Sequence, residues 1–204
     1  TTSSQVNTGT VTSWAWTFGD STASTTQNTA HTYITTTNSI TNTTYSVQLV
    51  ATTSNGCKDS ITKPITIYAL PTANFTSDSV CFGSPSHLLD ASNGNGNTLS
   101  NYAWDFTNDN MADITGPSNI NYTFPLLGNN TVNFTVTSTP TIGLTCKSFT
   151  TISVYTLANP TADFSFVNTC INKQPNSFDG SLSSVPVGSI SNYSWAFGDG
   201  QTSS

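Results

Sequence analysis

The feature that most constrains the fold of this chain is an internal repeat of about 89 residues. A tryptophan within an alternating aromatic segment recurs at Trp16, Trp104 and Trp195, at steps of 88 and 91 residues. Self-similarity at a fixed period is the signature of one structural unit repeated along a chain. Three further markers recur with a step of 89: Pro71 as Pro160, Cys57 as Cys146, and Cys81 as Cys170.

The repeat predicts three units, which cover residues 1–70, 71–159 and 160–204. The first resembles the last two thirds of a unit, the second is complete, and the third corresponds to an opening half. We therefore expect this chain to be a fragment of a longer repeat array.

Each unit has the pattern of antiparallel β-structure. Tyr102, Trp104 and Phe106 alternate with Ala103 and Asp105, a period of two that places the aromatic rings on one face. Short strands with Asn-Gly and Asp-Gly turns between them, and no helical stripe, predict all-β sandwiches of about 90 residues. Large aromatic side chains should form the cores, namely Trp16, Trp104, Trp195, Phe18, Phe106 and Phe197.

Composition excludes several classes of function. Only 7% of the 204 residues are charged, the net charge is −6, and the four bases are all lysines. So few bases cannot neutralise a phosphate backbone, which excludes nucleic-acid binding. No run approaches 18 apolar residues, so no membrane insertion is expected in this segment. There is no Glu, and the two histidines belong to no nucleophile or metal pattern, so we expect no enzymatic activity.

The tryptophan segments resemble a known family. Trp16-Thr17-Phe18-Gly19-Asp20 is followed by His31-Thr32-Tyr33 and by the alternating Tyr45-Ser46-Val47, and Trp195 to Gly200 repeats the opening motif in full. This pattern resembles the PKD (polycystic kidney disease) domain over nearly the whole chain. The second unit departs from it, because Thr107-Asn108-Asp109 replaces Gly-Asp-Gly and Tyr122-Thr123-Phe124 stands where His-x-Tyr is usual.

The resemblance implies an Ig-like sandwich and a function. The spacing of the cysteines looks like tandem PKD arrays in secreted surface proteins of Bacteroidota. It implies a non-catalytic extracellular segment of a stalk, filament or adhesin, whose partners are neighbouring repeats, other copies in a fibre, or a surface glycan. The alternative is a set of PKD modules that are appended to a secreted hydrolase and bind polysaccharide or protein. In that case exposed aromatic side chains such as Trp14 or Tyr193 would contact the polymer.

The four cysteines are predicted to form disulfides, since regular cysteines in a secreted chain favour disulfides over metal. In an Ig-like unit Cys81 and Cys146 would lie at opposite ends, too far apart for a bond. The hypothesis is therefore that the first-turn cysteine of one repeat bonds the late-loop cysteine of the next. By that rule Cys57, Cys81, Cys146 and Cys170 would all have partners that this fragment lacks.

The resemblance also implies a calcium loop, structural roles for three polar residues, and glycosylation sites. The segment Asp105–Asp113 resembles calcium loops of variant PKD domains, so it is either a polar surface turn or a calcium site with Asp109, Asp113 and Asn108 as ligands; no other cofactor is expected. Asp20 and Asp199 should cap turns, and His31 should be a packed structural residue. Asp-Ser motifs resemble bacterial O-glycosylation sites and point to Ser21, Ser60 and Ser79.

Overall fold

A computed structural model describes residues 9–34, 40–141, 143–170 and 175–204. This described part is all-β, as predicted, and contains sixteen strands and no helix. In particular, none of its segments is a helix long and apolar enough to cross a membrane.

The first sheet has four antiparallel strands in the order β2-β1-β3-β4. The strands are β1 (Val11–Thr17), β2 (Ala23–Ser24), β3 (Thr43–Thr53) and β4 (Lys58–Ile67). Trp16 lies opposite Leu49 in the β1–β3 register, and Leu49 is buried. The alternation predicted for Tyr45, Val47 and Leu49 is present, because these three are shielded more than Thr44 and Ser46, the exposed residues on either side of Tyr45.

Residues 75–157 form two sheets. The three-stranded sheet has the order β10-β7-β5 and the five-stranded sheet has the order β6-β12-β11-β8-β9. Their bounds are β5 (Phe75–Ser77), β6 (Val80–Cys81), β7 (Ser86–Asp90), β8 (Leu99–Asp105), β9 (Ile114–Thr115), β10 (Ile120–Tyr122), β11 (Gly128–Thr141) and β12 (Leu144–Leu157).

One pairing departs from the predicted antiparallel pattern, since β6 runs parallel to β12. β5 pairs with β7 in the three-stranded sheet. After Asp78 and Ser79 the chain continues as β6, which pairs with β12 in the five-stranded sheet. A strand that changes sheets in this way gives a short parallel contact, and sequence periodicity does not reveal it.

Trp104 is the centre of the core of residues 75–157. Its side chain is completely buried and stacks on Phe134 with ring centroids 3.9 Å apart, while Phe75 meets it edge-on at 5.1 Å. Its Nε1–H donates to the carbonyl of Pro117 at 3.1 Å, so the burial leaves no unpaired donor. Leu88 and the valines of β11 and β12 are also completely buried, at Val132, Val136 and Val154.

Residues 160–204 present their aromatic side chains on a more open surface. The strands are β13 (Ser165–Phe166), β14 (Phe178–Asp179), β15 (Trp195–Ala196) and β16 (Thr202–Ser203), which make two two-stranded sheets. Trp195 is half-buried, but Phe197 is 41% exposed, so Phe197 does not lie in a closed core. The reason is that no long hairpin like β11–β12 covers these four short strands within the described part of the chain.

The other predicted core residues are shielded to different degrees. Phe18 is buried, whereas Trp16 and Phe106 are half-buried. Trp16 repeats the hydrogen bond of Trp104, because its Nε1–H donates to the carbonyl of Thr26 at 3.0 Å.

The chain divides into two compact units that do not follow the sequence repeat. One contains Thr1–Asn74, Ser92–Tyr102 and Thr135–Phe149, and the other contains Phe75–Ala91, Ala103–Phe134 and Thr150–Ser204. The predicted boundaries at residues 70 and 159 stay a prediction. The segment around residue 70 lies inside the first compact unit.

We predict that replacing Gly19 by alanine lowers the free energy of unfolding more than the same replacement at Gly56, its matched control. Both have left-handed backbones, with φ of +83° and +80°, but a Cβ at Gly19 would lie 2.9 Å from the carbonyl oxygen of Ser46, whereas a Cβ at Gly56 meets nothing within 4 Å. Gly56→Ala should cost about 1–2 kcal/mol of unfolding free energy through backbone strain. Gly19→Ala should cost about 1–3 kcal/mol more, through overlap with β3.

Urea denaturation of the two variants tests this difference. Equal losses of stability would show that β3 does not approach Gly19 closely.

Candidate functional site

The best-defined polar site lies where β4 ends and the chain continues through residues 68–71. This segment is the first of the two linkers that the sequence predicts between repeats, and the second is residues 156–160. Ala69 is buried, and its peptide groups are bonded by two asparagine side chains. The Ala69 N–H donates to Asn42 Oδ1 at 2.9 Å, and Asn97 Nδ2 donates to the Ala69 carbonyl at 3.1 Å. An Asn side chain carries the donor and acceptor of a peptide group, so the pair replaces the strand partner that this segment lacks.

Asn42 and Asn97 also bond to each other. Asn42 Nδ2 donates to Asn97 Oδ1 at 3.0 Å, and Asn97 Nδ2 donates to Asn42 Oδ1 at 3.2 Å. The two amides and the Ala69 peptide therefore form one closed hydrogen-bonded network, which we call the asparagine clasp. Its members are uncharged, so salt should screen it little.

Asn95 bonds Leu70 of the linker and Thr72, which lies just beyond it. Its side chain is 8% exposed, and Nδ2 donates to the Leu70 carbonyl at 2.7 Å and to Thr72 Oγ1 at 3.0 Å. Asn95 has a left-handed backbone with φ of +52°, a conformation that Asn tolerates better than most residues. Backbone bonds between Thr72 and Asn93, at 2.7 and 2.9 Å, close the loop against the chain.

A groove of about 370 Å³ lies beside the clasp, lined in part by Tyr33, Tyr68, Leu70 and Asn95. None of its lining residues is charged. The cleft is therefore neutral, and Ala69, whose peptide the clasp holds, is one of its lining residues.

The second predicted linker, residues 156–160, is held differently. Asn159 Nδ2 donates to the Phe82 carbonyl at 3.0 Å, and Thr161 bridges Ser184 as Thr72 bridges Asn93. Counted from these bridges, Pro186 and Gly188 stand where Asn95 and Asn97 stand in the first case. The clasp is thus particular to residues 42–97.

The turn after β1 is organised by Asp20. Its Oδ1 accepts hydrogen bonds from the Thr22 hydroxyl at 2.5 Å and from the Thr22 N–H at 3.1 Å, and its Oδ2 lies 2.6 Å from His31 Nε2. The Thr22 hydroxyl, and with it His31, holds the pKa of Asp20 at about 2, below the ordinary value of 3.8. The His31 ring stacks on Phe18 at 4.2 Å and meets Tyr33 edge-on at 4.6 Å.

The predicted roles of these residues are confirmed. His31 is a packed structural residue, and Asp20 caps its turn. Asp199 does the same in the last segment, since it accepts the Gln201 N–H at 2.9 Å. In the middle segment Tyr122 takes the stacking role of His31, with its ring 3.7 Å from that of Phe106.

The loop Asp105–Asp113 is held by its own acidic side chains. Asp105 is buried and accepts the N–H groups of Asn108 at 2.6 Å and Asn110 at 3.2 Å. Burial raises the pKa of Asp105, but these hydrogen bonds and one from Asn133 outweigh it and lower the pKa. Asp113 accepts the Phe106 N–H at 2.7 Å.

The side chains predicted to bind calcium make hydrogen bonds to the loop itself and to β11. Asp109 accepts the Met111 N–H at 2.8 Å, and the Asn108 side chain bonds Asn133 and the Thr131 carbonyl. Across the part of the chain that the structure describes, no three acidic, histidine or cysteine side chains are grouped to hold a metal. The surface-turn alternative has this geometry in its favour, and calcium binding by Asp109, Asp113 and Asn108 stays a prediction.

Comparison with known proteins shows the family of this chain. The PKD domain model matches residues 1–69 and 157–204, which together exceed half of the chain. The chain belongs to the PKD domain family. Among solved structures, the fibronectin(III)-like modules of CbhA from Clostridium thermocellum are 13% identical, with 76% of this chain and 83% of that chain covered and a TM-score of 0.36. The search of curated proteins finds no match.

The four cysteines of the described residues are not bonded to one another; Cys57, Cys81 and Cys170 are exposed and Cys146 is half-buried. Cys81 pairs with Leu157 at the end of β12, whereas Cys146 lies near the start of that strand. Eleven residues of strand separate Cys146 from Leu157, about 36 Å at 3.3 Å per residue. Bonding of these cysteines to other repeats stays a prediction.

The predicted glycosylation sites are accessible. Ser21 and Ser79 lie in exposed loops and Ser60 is an exposed residue of β4. Ser21 has a left-handed backbone with φ of +71°, at the tip of the Asp20 turn.

Sequence reasoning did not find the asparagine clasp or the role of Asp105. Asn93-Gly94 predicts only a turn, and Asn42 belongs to a Thr- and Asn-rich stretch without a motif. The one available signal was the density of asparagines between residues 93 and 97.

We expect Asp20 to titrate near pH 2. Because its folded pKa lies below the ordinary value of 3.8, the charged carboxylate stabilises the fold above that value, and this contribution is lost as pH falls through about 2. Carboxyl-carbon NMR measures the midpoint, and Thr22→Val should raise it because the first hydrogen-bond donor is removed. A wild-type midpoint near 3.8 would contradict the geometry of the turn.

Asn97→Ala should loosen the linker. It removes two donors and leaves the Ala69 carbonyl without its partner, a local cost of about 1–3 kcal/mol. Rotational correlation times from ¹⁵N relaxation should be equal for residues 11–67 and 75–157 in the wild type and should diverge in the variant. The control is Asn129→Ala, an exposed asparagine of β11. Equal behaviour of the two variants would rule out the clasp as the element that orders the linker.

Proposed function

We propose that this chain is a non-catalytic structural segment of an extracellular stalk, filament or adhesin, built from consecutive PKD repeats. The observation that carries the proposal is the asparagine clasp, which fixes the peptide groups of Ala69 on both sides. A chain that transmits force or sets a length needs linkers without slack. Hydrogen-bonded, partly buried linker residues provide that property, whereas a solvated Gly-Ser linker does not.

The chemistry of the titratable groups supports a structural role. His31 and Asp20 organise one turn, and His87 and Asp78 tie β7 to the preceding crossover, with Nδ1 and Oδ2 2.6 Å apart. The His87 side-chain and backbone hydrogen bonds lower the pKa of Asp78. Both carboxylates are hydrogen-bonded by residues close to them in sequence, which favours a structural role over acid–base catalysis.

The partners that fit this function are neighbouring repeats and other copies of the chain. Disulfides between repeats through the exposed Cys81 and its equivalents would add resistance to unfolding, since a covalent link limits extension. O-linked glycans at Ser21, Ser60 and Ser79 would cover a surface that has few charges.

A second candidate function is binding to a polymer as modules attached to a secreted hydrolase. It is favoured by a groove of about 420 Å³ in residues 162–197, lined in part by Phe164, Phe178, Tyr193 and Trp195. Tyr193 is 39% exposed, and Phe164 is 50% exposed. Exposed aromatic rings suit the apolar faces of sugars, and Asp163 is the one charged residue of the lining.

Electron microscopy of the native material, with sizing of its polypeptide on a denaturing gel, separates the two functions. A stalk predicts long beaded or continuous fibres made from a very large chain. Discrete particles from a chain of modest size would overturn the stalk proposal and direct attention to the aromatic groove.

A further inference from the structure

The outer edge of β12 is open to another strand. On that side β12 pairs only with β6, at Thr156 and Leu157. No other strand of the described residues lies on this side, so the edge between residues 144 and 155 has no strand partner there. Such an edge is a template for pairing with a second chain unless something blocks it.

The equivalent strand of the first segment, β4, shows what a blocked edge looks like in this protein. It also lies at the edge of its sheet. At the repeat step of 89 residues, β4 carries Lys63-Pro64 where β12 carries Ile152-Ser153. Charge and proline on an edge strand oppose the addition of a further strand. β12 lacks the charge and the proline at these two positions, and its one charged residue is Lys147, the counterpart of Lys58 in β4.

The exposed face of β12 is suited to pairing with itself. Its side chains alternate as Lys147, Phe149, Thr151, Ser153 and Tyr155, and Phe149 is 73% exposed. If two copies pair antiparallel with Thr151 opposite Thr151, Lys147 faces Tyr155 of the second copy and Phe149 faces Ser153 of the second copy. The two lysines are then apart, and each lies beside an aromatic ring that attracts a cation.

We propose that the outer edge of β12 is a self-association surface, on which β12 pairs antiparallel with β12 of a second copy around a two-fold axis at Thr151. An antiparallel pair of identical strands is a closed, isologous contact, so it yields dimers. Pairing over residues 147–155 leaves the β6 contact at Thr156 intact. The proposal goes beyond the stalk function, because it concerns contact between chains side by side.

The test uses charge at the two-fold axis. Thr151 is exposed, and its hydroxyl donates to Asn133 Oδ1 at 2.6 Å. Thr151→Lys places two ammonium groups opposite each other, whereas Thr151→Ala removes the same hydrogen bond without adding charge. Sedimentation equilibrium of the 204-residue chain is run under reducing conditions, so that the free thiols do not link chains.

We expect the wild type and Thr151→Ala to dimerise with similar dissociation constants. Thr151→Lys should dimerise at least about tenfold more weakly, because like charges meet in the interface. An equal mixture of Thr151→Lys and Thr151→Asp chains should regain the dimer. Two results overturn the proposal: a wild-type chain that stays monomeric up to about 1 mM, or a Thr151→Lys chain that dimerises as well as Thr151→Ala. Either result leaves the stalk function standing, because that function rests on the linker.

Discussion

The burial of Trp104 between the two sheets of residues 75–157 is the interaction on which the rest of this structure depends. A sandwich of about 90 residues has a small core, and a single indole can bury 150–250 Å². Trp104 does so with its N–H bonded to the Pro117 carbonyl, and Trp16 reproduces that bond with Thr26. The bond fixes the loop that follows the tryptophan strand. That loop in turn places the ring that stacks on the next phenylalanine, His31 on Phe18 or Tyr122 on Phe106.

A chain with so few charges must use amides and hydroxyls where other proteins use ion pairs. The asparagine clasp is the clearest case, since Asn42 and Asn97 satisfy the Ala69 peptide and each other. Likewise, the Thr22 hydroxyl donates a hydrogen bond to Asp20, and Asp105 accepts hydrogen bonds from N–H groups of its own loop. The hydrogen bonds of the clasp join neutral groups, so salt should screen them little. The same composition leaves edge strands with few charges, such as β12, whose one charged residue is Lys147.

Much of the fold follows from the sequence. The period of 89 residues, the alternating aromatic strands and the Gly-Asp turns predict the β-sandwich and the roles of Asp20 and His31, because these patterns act over short distances along the chain. The parallel contact of β6 with β12 and the exposure of Phe197 were not predicted, since both depend on which strands meet in space. Phe197 has the motif of a core residue but lacks a covering hairpin in the described part of the chain.

The asparagine clasp could not be predicted for the same reason. Asn42 and Asn97 are 55 residues apart, and in a chain rich in Thr, Ser and Asn neither stands out. The exchange rate of the Ala69 amide hydrogen tests the clasp, and with it the account of the linker as a folded element, most directly. Because this N–H is buried and bonded to Asn42, hydrogen exchange should be as slow as for the amides inside β3. Exchange at the rate of an unprotected loop would show that the linker is not held, and the structural function proposed for this chain would lose its basis.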